Sequence, residues 1–197
     1  MSSQLTSRRR YHHGSLQAAL LDLAEAALEA HGHEALSLRD LAAAAQVAPS
    51  APYRHFASRD DLLEALAAAG FERLIVSYRE AALQADPVRA VCEAYVAFSR
   101  AHPQLFRLMF VSDAVRRNAN GPAMSVGLQS FAIFEEVLRG RMPEASAVDV
   151  RLRVLTVWSA LHGAALLASE GRLDPLLLGE LSTEDLIGSV ISLNAPG

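Results

Sequence analysis

The chain has 197 residues, of which 51% are apolar and 20% are charged, and its formal net charge at pH 7 is −4. This length can bury a real core in one large or two small domains, and the composition is too apolar for a disordered chain. A single cysteine, Cys92, excludes an internal disulfide framework and fits a reducing cytoplasm.

Alanine and leucine dominate, whereas β-branched and aromatic residues are sparse, so we expect an all-α fold. No apolar run follows the charged first ten residues, which argues against a signal peptide. The longest apolar stretch, 154–168, is interrupted by Ser159 and His162 and falls short of the roughly 20 residues of a membrane span. We therefore expect a soluble, cytoplasmic protein with no membrane partner.

The first part of the chain predicts a basic arm followed by two helices. Residues 1–14 form the arm, with Arg8–Arg10 at its centre. Ser15 is placed to cap a first helix that Gly32 ends, and Ser37 to cap a short second helix. Residues 1–60 carry as many arginines as acidic residues, so the negative total belongs to the remainder of the chain.

Residues 46–62 predict a turn between two further helices. Residues 46–48 form the turn, and Pro49 begins a third helix of one and a half turns that Phe56 closes. The sequence from Ser58 to Asp61 is a capping box, which opens a long fourth helix reaching about Leu83.

Proline, serine and glycine residues mark the ends of the helices expected in the rest of the chain. Helices are expected over the ranges 87–101, 103–111, 122–139, 146–169 and 182–193. Irregular loops are expected at 116–121 and 171–181.

The second and third helices, joined by a short turn, have the length and polarity of a helix-turn-helix that places its second helix in the major groove of DNA. Tyr53 and His55 suit phosphate contacts, as does Arg59 at the start of the fourth helix. Arg39 can reach base edges, where a bidentate pair with guanine would discriminate between sequences. The candidate DNA-contacting residues are Ser37, Arg39, Pro49, Ser50, Ala51, Tyr53, Arg54, His55 and Arg59. By periodicity alone, a surface turn in an ordinary helical bundle explains this segment equally well.

The motifs Y-R-H-F (53–56) and S-R-D-D-L (58–62) resemble the Y-x-H-F…K-x-x-L pattern of the TetR family of bacterial transcriptional regulators. Leu38–Ala42 and Tyr11–Gly14 are similar to further segments of that family. Pro52 stands where the family usually has an aliphatic residue, and Arg59 replaces its lysine. The resemblance implies a DNA-binding domain over residues 1–60 and a helical ligand-sensing and dimerisation domain over residues 61–197.

The second part of the chain is rich in large apolar groups that suit either a core or an adaptable pocket. The candidate ligand-binding residues are Phe98, Phe106, Met109, Phe110, Phe131, Trp158 and His162. His162 follows Trp158 at i+4, as a hydrogen-bonded core histidine or as a polar anchor in the pocket. The segment from Trp158 to Gly163 resembles the Trp…His-Gly signature of a TetR subgroup.

The helix over 146–169 is apolar nearly all round beyond Arg153, so both of its sides must be covered, one by the core and one by a partner subunit. The candidate dimer-interface residues are Leu155, Leu161, Leu186, Ile187, Val190 and Ile191.

The resemblance implies a homodimeric repressor that binds double-stranded operator DNA and is released by a small apolar or amphipathic ligand. We find no catalytic motif, no Walker or dinucleotide loop and no convincing metal site, so we expect no enzyme, cofactor or metal. Two alternatives stay open: a helical enzyme or carrier for an apolar molecule, and a DNA-binding module without a ligand.

Overall fold

The computed structural model describes residues 13–173, 179 and 181–194. Every regular element in these residues is helical, which confirms the all-α prediction. The α-helices are α1 (His13–His31), α2 (Leu38–Ala44), α3 (Arg59–Ala81), α4 (Pro87–Ala101), α5 (Pro103–Val111), α6 (Asp113–Arg117), α7 (Pro122–Arg141), α8 (Ala147–Ser169) and α9 (Thr183–Asn194). Single 3-10 turns lie at His33–Ala35 and Pro52–Arg54. Residues 1–12 of the predicted arm, which include Arg8–Arg10, lie outside the described residues.

The N-terminal helices begin and end largely at the predicted signals. α1 is already helical at His13, ahead of the expected cap at Ser15, and it ends at Gly32, whose φ of 76° favours glycine. The Ser37 side chain accepts a hydrogen bond from the Asp40 amide at 3.4 Å and so caps α2, as predicted.

The third helix is shorter than the sequence predicted. It is a single 3-10 turn that begins at Pro52 rather than at Pro49. Proline has no N–H to donate within a helix, so Pro52 is tolerated at the start of the turn and not inside it. The amides of His55 and Phe56 both donate to the Pro52 carbonyl, at 2.9 and 3.0 Å, and close the turn.

The long helix α3 is the centre of the molecule. Its capping box forms as predicted: the Asp61 amide donates to the Ser58 hydroxyl at 3.1 Å, and the Ser58 amide donates to the Asp61 carboxylate at 3.0 Å. α3 packs on α1, α4, α5, α6 and α7. α5 approaches closely at Gly70, where a Cβ atom would lie 2.6 Å from the Met109 sulfur.

The remaining helices follow the prolines and serines. α4 and α5 have the predicted bounds, and α7 extends two residues further than expected. The short α6 was missed; the Ser112 hydroxyl caps it by accepting from the Ala114 amide at 3.3 Å.

Two acidic side chains of α1 tie it to later helices. The Glu25 carboxylate pairs with both terminal nitrogens of Arg73 on α3, at 2.8 Å each. The Glu29 carboxylate accepts hydrogen bonds from the amides of Gln104 and Leu105, at 3.2 and 3.0 Å. The first turn of α5 is therefore held directly by the N-terminal helix.

Candidate functional site

The surface formed by α2 and the neighbouring 3-10 turn carries most of the predicted DNA-contacting side chains. Arg39, Ser50 and Arg54 are exposed, and Tyr53 keeps 53% of its surface in solvent. Pro52, beside them in the turn, is buried. This arrangement leaves hydroxyl and guanidinium groups facing outward on a short, firmly packed support.

Four further candidates shape this surface. Ser37 caps α2, Pro49 is exposed in the turn, and Ala51 precedes the 3-10 turn. His55 is half-buried, with its ring 6.5 Å from that of Phe56.

The Arg59 side chain bonds to the segment between α1 and α2. Its Nε donates to the Leu36 carbonyl at 3.0 Å, and its Nη2 donates to the His33 carbonyl. These bonds fasten the start of α3 to the segment that precedes α2. The predicted phosphate contact would therefore have to come from a guanidinium that already makes two internal bonds.

An apolar cavity of about 250 Å³ lies among α3, α5, α6 and α7, with one residue each from α4 and α8. Its volume is just below the roughly 300–1,000 Å³ usual for ligand pockets. The aromatic residues that line it are Phe71, Tyr78, Tyr95, Phe110, Phe131, Phe134 and Trp158. The Ser130 hydroxyl, also in the lining, already donates to the Gly127 carbonyl at 2.7 Å.

The structure brings four of the seven predicted ligand residues to this cavity and leaves three outside its lining. Met109, Phe110, Phe131 and Trp158 line it. Phe98 and Phe106 are buried in the core instead and His162 is half-buried, and none of these three is among the lining residues.

His162 is a packed, hydrogen-bonded core residue, the first of the two alternatives. Its ring stacks on Trp158 at a centroid distance of 5.3 Å, and its Nδ1 lies 2.6 Å from the Tyr95 hydroxyl. Burial lowers the pKa of His162 and raises that of Tyr95, so both groups are neutral and share one hydrogen bond, whose donor is set by the imidazole tautomer. His162 therefore contacts two side chains that line the cavity: Tyr95 through the hydrogen bond and Trp158 through ring stacking.

Sequence reasoning missed the contributions of α3 and α6 to the cavity. Phe71, Leu74 and Tyr78 share one face of α3, and their helical spacing indicates core packing equally well. Val115 and Arg116 come from α6, which was expected to be partly loop.

One face of α8 is apolar and exposed. Val148, Leu152 and Leu155 lie on it at i, i+4 and i+7, and Leu167 is exposed further along; Leu152 keeps 58% of its surface in solvent. By length and composition alone α8 could cross a membrane, a test that core helices of soluble proteins also pass.

The candidate interface residues on α8 and α9 differ in their exposure to solvent. Leu155 is exposed, whereas Leu161 and Ile191 are buried within the single chain, at 1% and 7% exposure. These two side chains pack against the core of their own chain, which makes Leu155 the more accessible of the candidates. Leu186 and Val190 are half-buried, and the Ile187 side chain lies outside the described residues.

The part of the chain that the structure describes offers little support for a nucleophilic cysteine or a metal site. Burial raises the pKa of the Cys92 thiol to about 12, so the thiolate is scarce at neutral pH. Among the described residues, no group of three His, Cys, Asp or Glu side chains could hold a metal ion.

A short helix-turn-helix unit packed on a larger helical domain is the architecture of a class of DNA-binding transcriptional regulators. Sequence comparison agrees: the family described as "Bacterial regulatory proteins, tetR family" matches residues 20–66, and "Tetracyclin repressor-like, C-terminal domain" matches residues 88–189. The chain belongs to the TetR family, a family of transcriptional regulators rather than enzymes.

Solved structures show the same fold. A protein of unknown function from Rhodococcus sp. RHA1 is 28% identical, with a TM-score of 0.78 over 95% of this chain and 97% of that one. The TetR family regulator PfmR from Thermus thermophilus is 21% identical, with a TM-score of 0.61 over 90% and 97%. FadR from Bacillus subtilis, solved with stearoyl-CoA, is 16% identical, with a TM-score of 0.70 over 91% and 98%. No curated protein matches the sequence.

Proposed function

We propose that the protein is a cytoplasmic repressor that binds operator DNA as a homodimer and leaves it when a small apolar or amphipathic ligand fills the cavity. The observation that carries this proposal is the course of α3. Its first turn is bonded through Arg59 to the segment that leads into α2, and Phe71, Leu74 and Tyr78 further along line the cavity. A ligand that displaces the middle of α3 therefore acts on the DNA-reading unit through one helix.

The exposed surface of α2 and the 3-10 turn contacts both the phosphates and the bases of the operator. Tyr53, Arg54 and His55 bind phosphates, whereas Arg39 reads a base edge and the tip at Ser50 and Ala51 contacts the groove floor. Arg59 holds the unit in shape and adds its positive charge to the phosphate-facing side. Residues 1–60 and 61–197 remain our division between DNA binding and sensing, with α3 running through the boundary.

The dimer forms through α8 and α9. Two copies of the exposed face of α8, defined by Val148, Leu152 and Leu155, cover each other across a two-fold axis. The two DNA-reading units must then reach successive major grooves roughly 34–36 Å apart. A ligand that favours a differently spaced state weakens operator binding by its differential affinity for the two states.

The presence of an apolar cavity favours a regulator controlled by a ligand over the alternative, a DNA-binding module that has no ligand. The cavity is lined mainly by carbon, and FadR from Bacillus subtilis, which shares the fold, was solved with stearoyl-CoA. An apolar chain is therefore a reasonable occupant of this cavity.

The proposal is tested by selecting duplexes from a random pool with the purified protein. We expect a palindromic duplex that binds two chains, with an affinity at least about a thousandfold above that of a scrambled duplex at the same salt concentration. Equal binding to selected and scrambled duplexes would rule out an operator-binding regulator.

A further inference from the structure

The charges of the cavity lining are unevenly placed. Arg116 is the one charged residue among the described residues that line the cavity. Arg116 and Leu128 are both exposed, so they mark the place where the cavity meets solvent. Tyr95, which is 1% exposed, and Trp158 lie on the protein side. The cavity therefore runs from a cationic mouth to an apolar interior.

The Arg116 guanidinium is poorly satisfied where it stands. Its ion pair is with Asp113 on the same short helix, at an Nη2–Oδ1 distance of 3.5 Å, and both side chains are largely exposed. Exposed pairs of this kind contribute little, because water screens them and both side chains lose freedom. A ligand anion that is partly withdrawn from water can displace Asp113 at small cost and form a shorter, bidentate contact.

We propose that the ligand of this cavity is an anionic amphiphile, with its tail among the aromatic residues and its carboxylate or phosphate head group on Arg116. The proposal rests on the ligand-sensing function proposed above and specifies the chemistry of the ligand. Carboxylate and phosphate share the planar or forked acceptor geometry that guanidinium recognises, so both belong to the class.

The buried carboxylate of Glu64 does not cancel the preference of the cavity for an anionic ligand. Glu64 lies beneath the start of α7 and its Oε2 accepts a hydrogen bond from the Ala123 amide at 3.3 Å, but it is absent from the lining. A cationic amphiphile would have to pass Arg116 at the mouth and would meet no lining carboxylate among the described residues. An anion meets the complementary charge first.

Trp158 makes the proposal measurable, because it is the chain's single tryptophan and lies in the lining. The full-length protein is titrated with four amphiphiles that share one tail: decanoate, decyl phosphate, decanol and decyltrimethylammonium, each below its micelle concentration. We expect Trp158 fluorescence to report tighter binding of decanoate and decyl phosphate than of decanol, with the cation weakest. Added salt should weaken the two anions and leave decanol unchanged.

Two variants assign the head group. Arg116→Gln removes the charge at the mouth, whereas Arg117→Gln removes the neighbouring exposed charge, which does not line the cavity. We expect Arg116→Gln to weaken decanoate and decyl phosphate by about three- to fivefold, the range for an exposed ion pair, without changing decanol. Arg117→Gln should bind all four as the wild type does.

Three results would overturn the proposal: equal binding of decanoate and decanol, equal effects of the two arginine variants, or no fluorescence response to any of the four. The first two results would leave the proposed function intact if the protein still selects and binds a palindromic duplex, whereas no response to any amphiphile would leave only its operator binding. Loss of that duplex preference would instead refute the regulator itself. A preference for decanoate over decyl phosphate, or the reverse, separates the two head groups within the class.

Discussion

Glu64 is a buried carboxylate that joins α3 to the start of α7. Glu64 is 4% exposed. Its Oε2 accepts a hydrogen bond from the Ala123 amide, whereas its Oε1 has no hydrogen-bond partner among the described residues. Burial raises the pKa of this carboxyl, and Asp61 raises it further, against the lowering effect of the Ala123 bond. Ionised Glu64 therefore costs stability in the folded protein.

We expect Glu64→Gln to gain stability relative to the wild type as the pH rises. Because the folded pKa lies above the ordinary value of 4.5, the penalty is absent below that value and grows as the pH rises through the raised one. Glutamine keeps an acceptor for the Ala123 amide and carries no charge. Urea unfolding of both proteins between acid and neutral pH measures the difference, and a difference that does not change with pH would contradict this reading.

We expect the exposed side chains of the proposed DNA-contacting surface to make separable contributions to DNA binding. Tyr53→Phe removes a phosphate hydrogen bond, so it should weaken selected and scrambled duplexes alike. Arg39→Ala should cost about 1–3 kcal/mol on the selected duplex and relax the preference at one base position. Titrations at several salt concentrations on both duplexes test the division, and an Arg39→Ala effect equal on both would refute its base-reading role.

At the scale of elements, α5 is the second route between the two functions. Its first turn is held by Glu29 of α1, and Met109 and Phe110 near its other end line the cavity. A carboxylate at a helix N-terminus satisfies free amides and interacts favourably with the helix dipole. In the proposed regulator, movement of α5 around a ligand would be transmitted to α1, which packs on α2.

Glu29→Ala should lower the free energy of unfolding by about 1–2 kcal/mol, because two amides of α5 lose their acceptor. It should also reduce the effect of cavity ligands on operator binding. Glu136→Ala, at an exposed position on α7, is the matched control. If the two variants unfold at the same urea concentration, the cap is not a stabilising contact.

The bounds of most helices could be predicted because their signals are local. Pro87, Pro103 and Pro122 each begin a helix, and Ser58 caps one, through backbone chemistry that the sequence displays directly. The shortness of the turn at Pro52 was harder to foresee, since proline is allowed at the start of a helix and disruptive one turn later.

The cavity and the partner face depend on packing that periodicity does not reveal. Phe71, Leu74 and Tyr78 have the spacing of core residues whether or not a void lies beside them. Leu155 and Leu161 lie on one apolar helix, and only its orientation decides that Leu161 is buried and Leu155 exposed. For the same reason Arg59 was expected at a phosphate, although its guanidinium faces two backbone carbonyls.

At the scale of the whole molecule, the exposed apolar face of α8 is the surface that we propose for the dimer. We expect the wild type to sediment as a dimer at micromolar concentration, and Leu155→Glu to place a charge in the apolar contact. A cost of about 3 kcal/mol would raise the dimer dissociation constant roughly a hundredfold.

Leu83→Glu is the control for this change, because Leu83 is also exposed but lies beyond the end of α3. A monomeric wild type, or equal dissociation of the two variants, would show that α8 is not the dimer contact.

In the proposed regulator, the cavity and the DNA-reading surface are coupled through α3 and α5. A reciprocal titration measures this coupling: operator affinity with and without saturating decanoate, and decanoate affinity from Trp158 fluorescence with and without operator. Linkage requires both affinities to fall by the same factor, and couplings of this kind are typically about 5–150-fold. We expect such a matched fall; decanoate that binds beside Trp158 and leaves operator affinity unchanged would contradict the coupling.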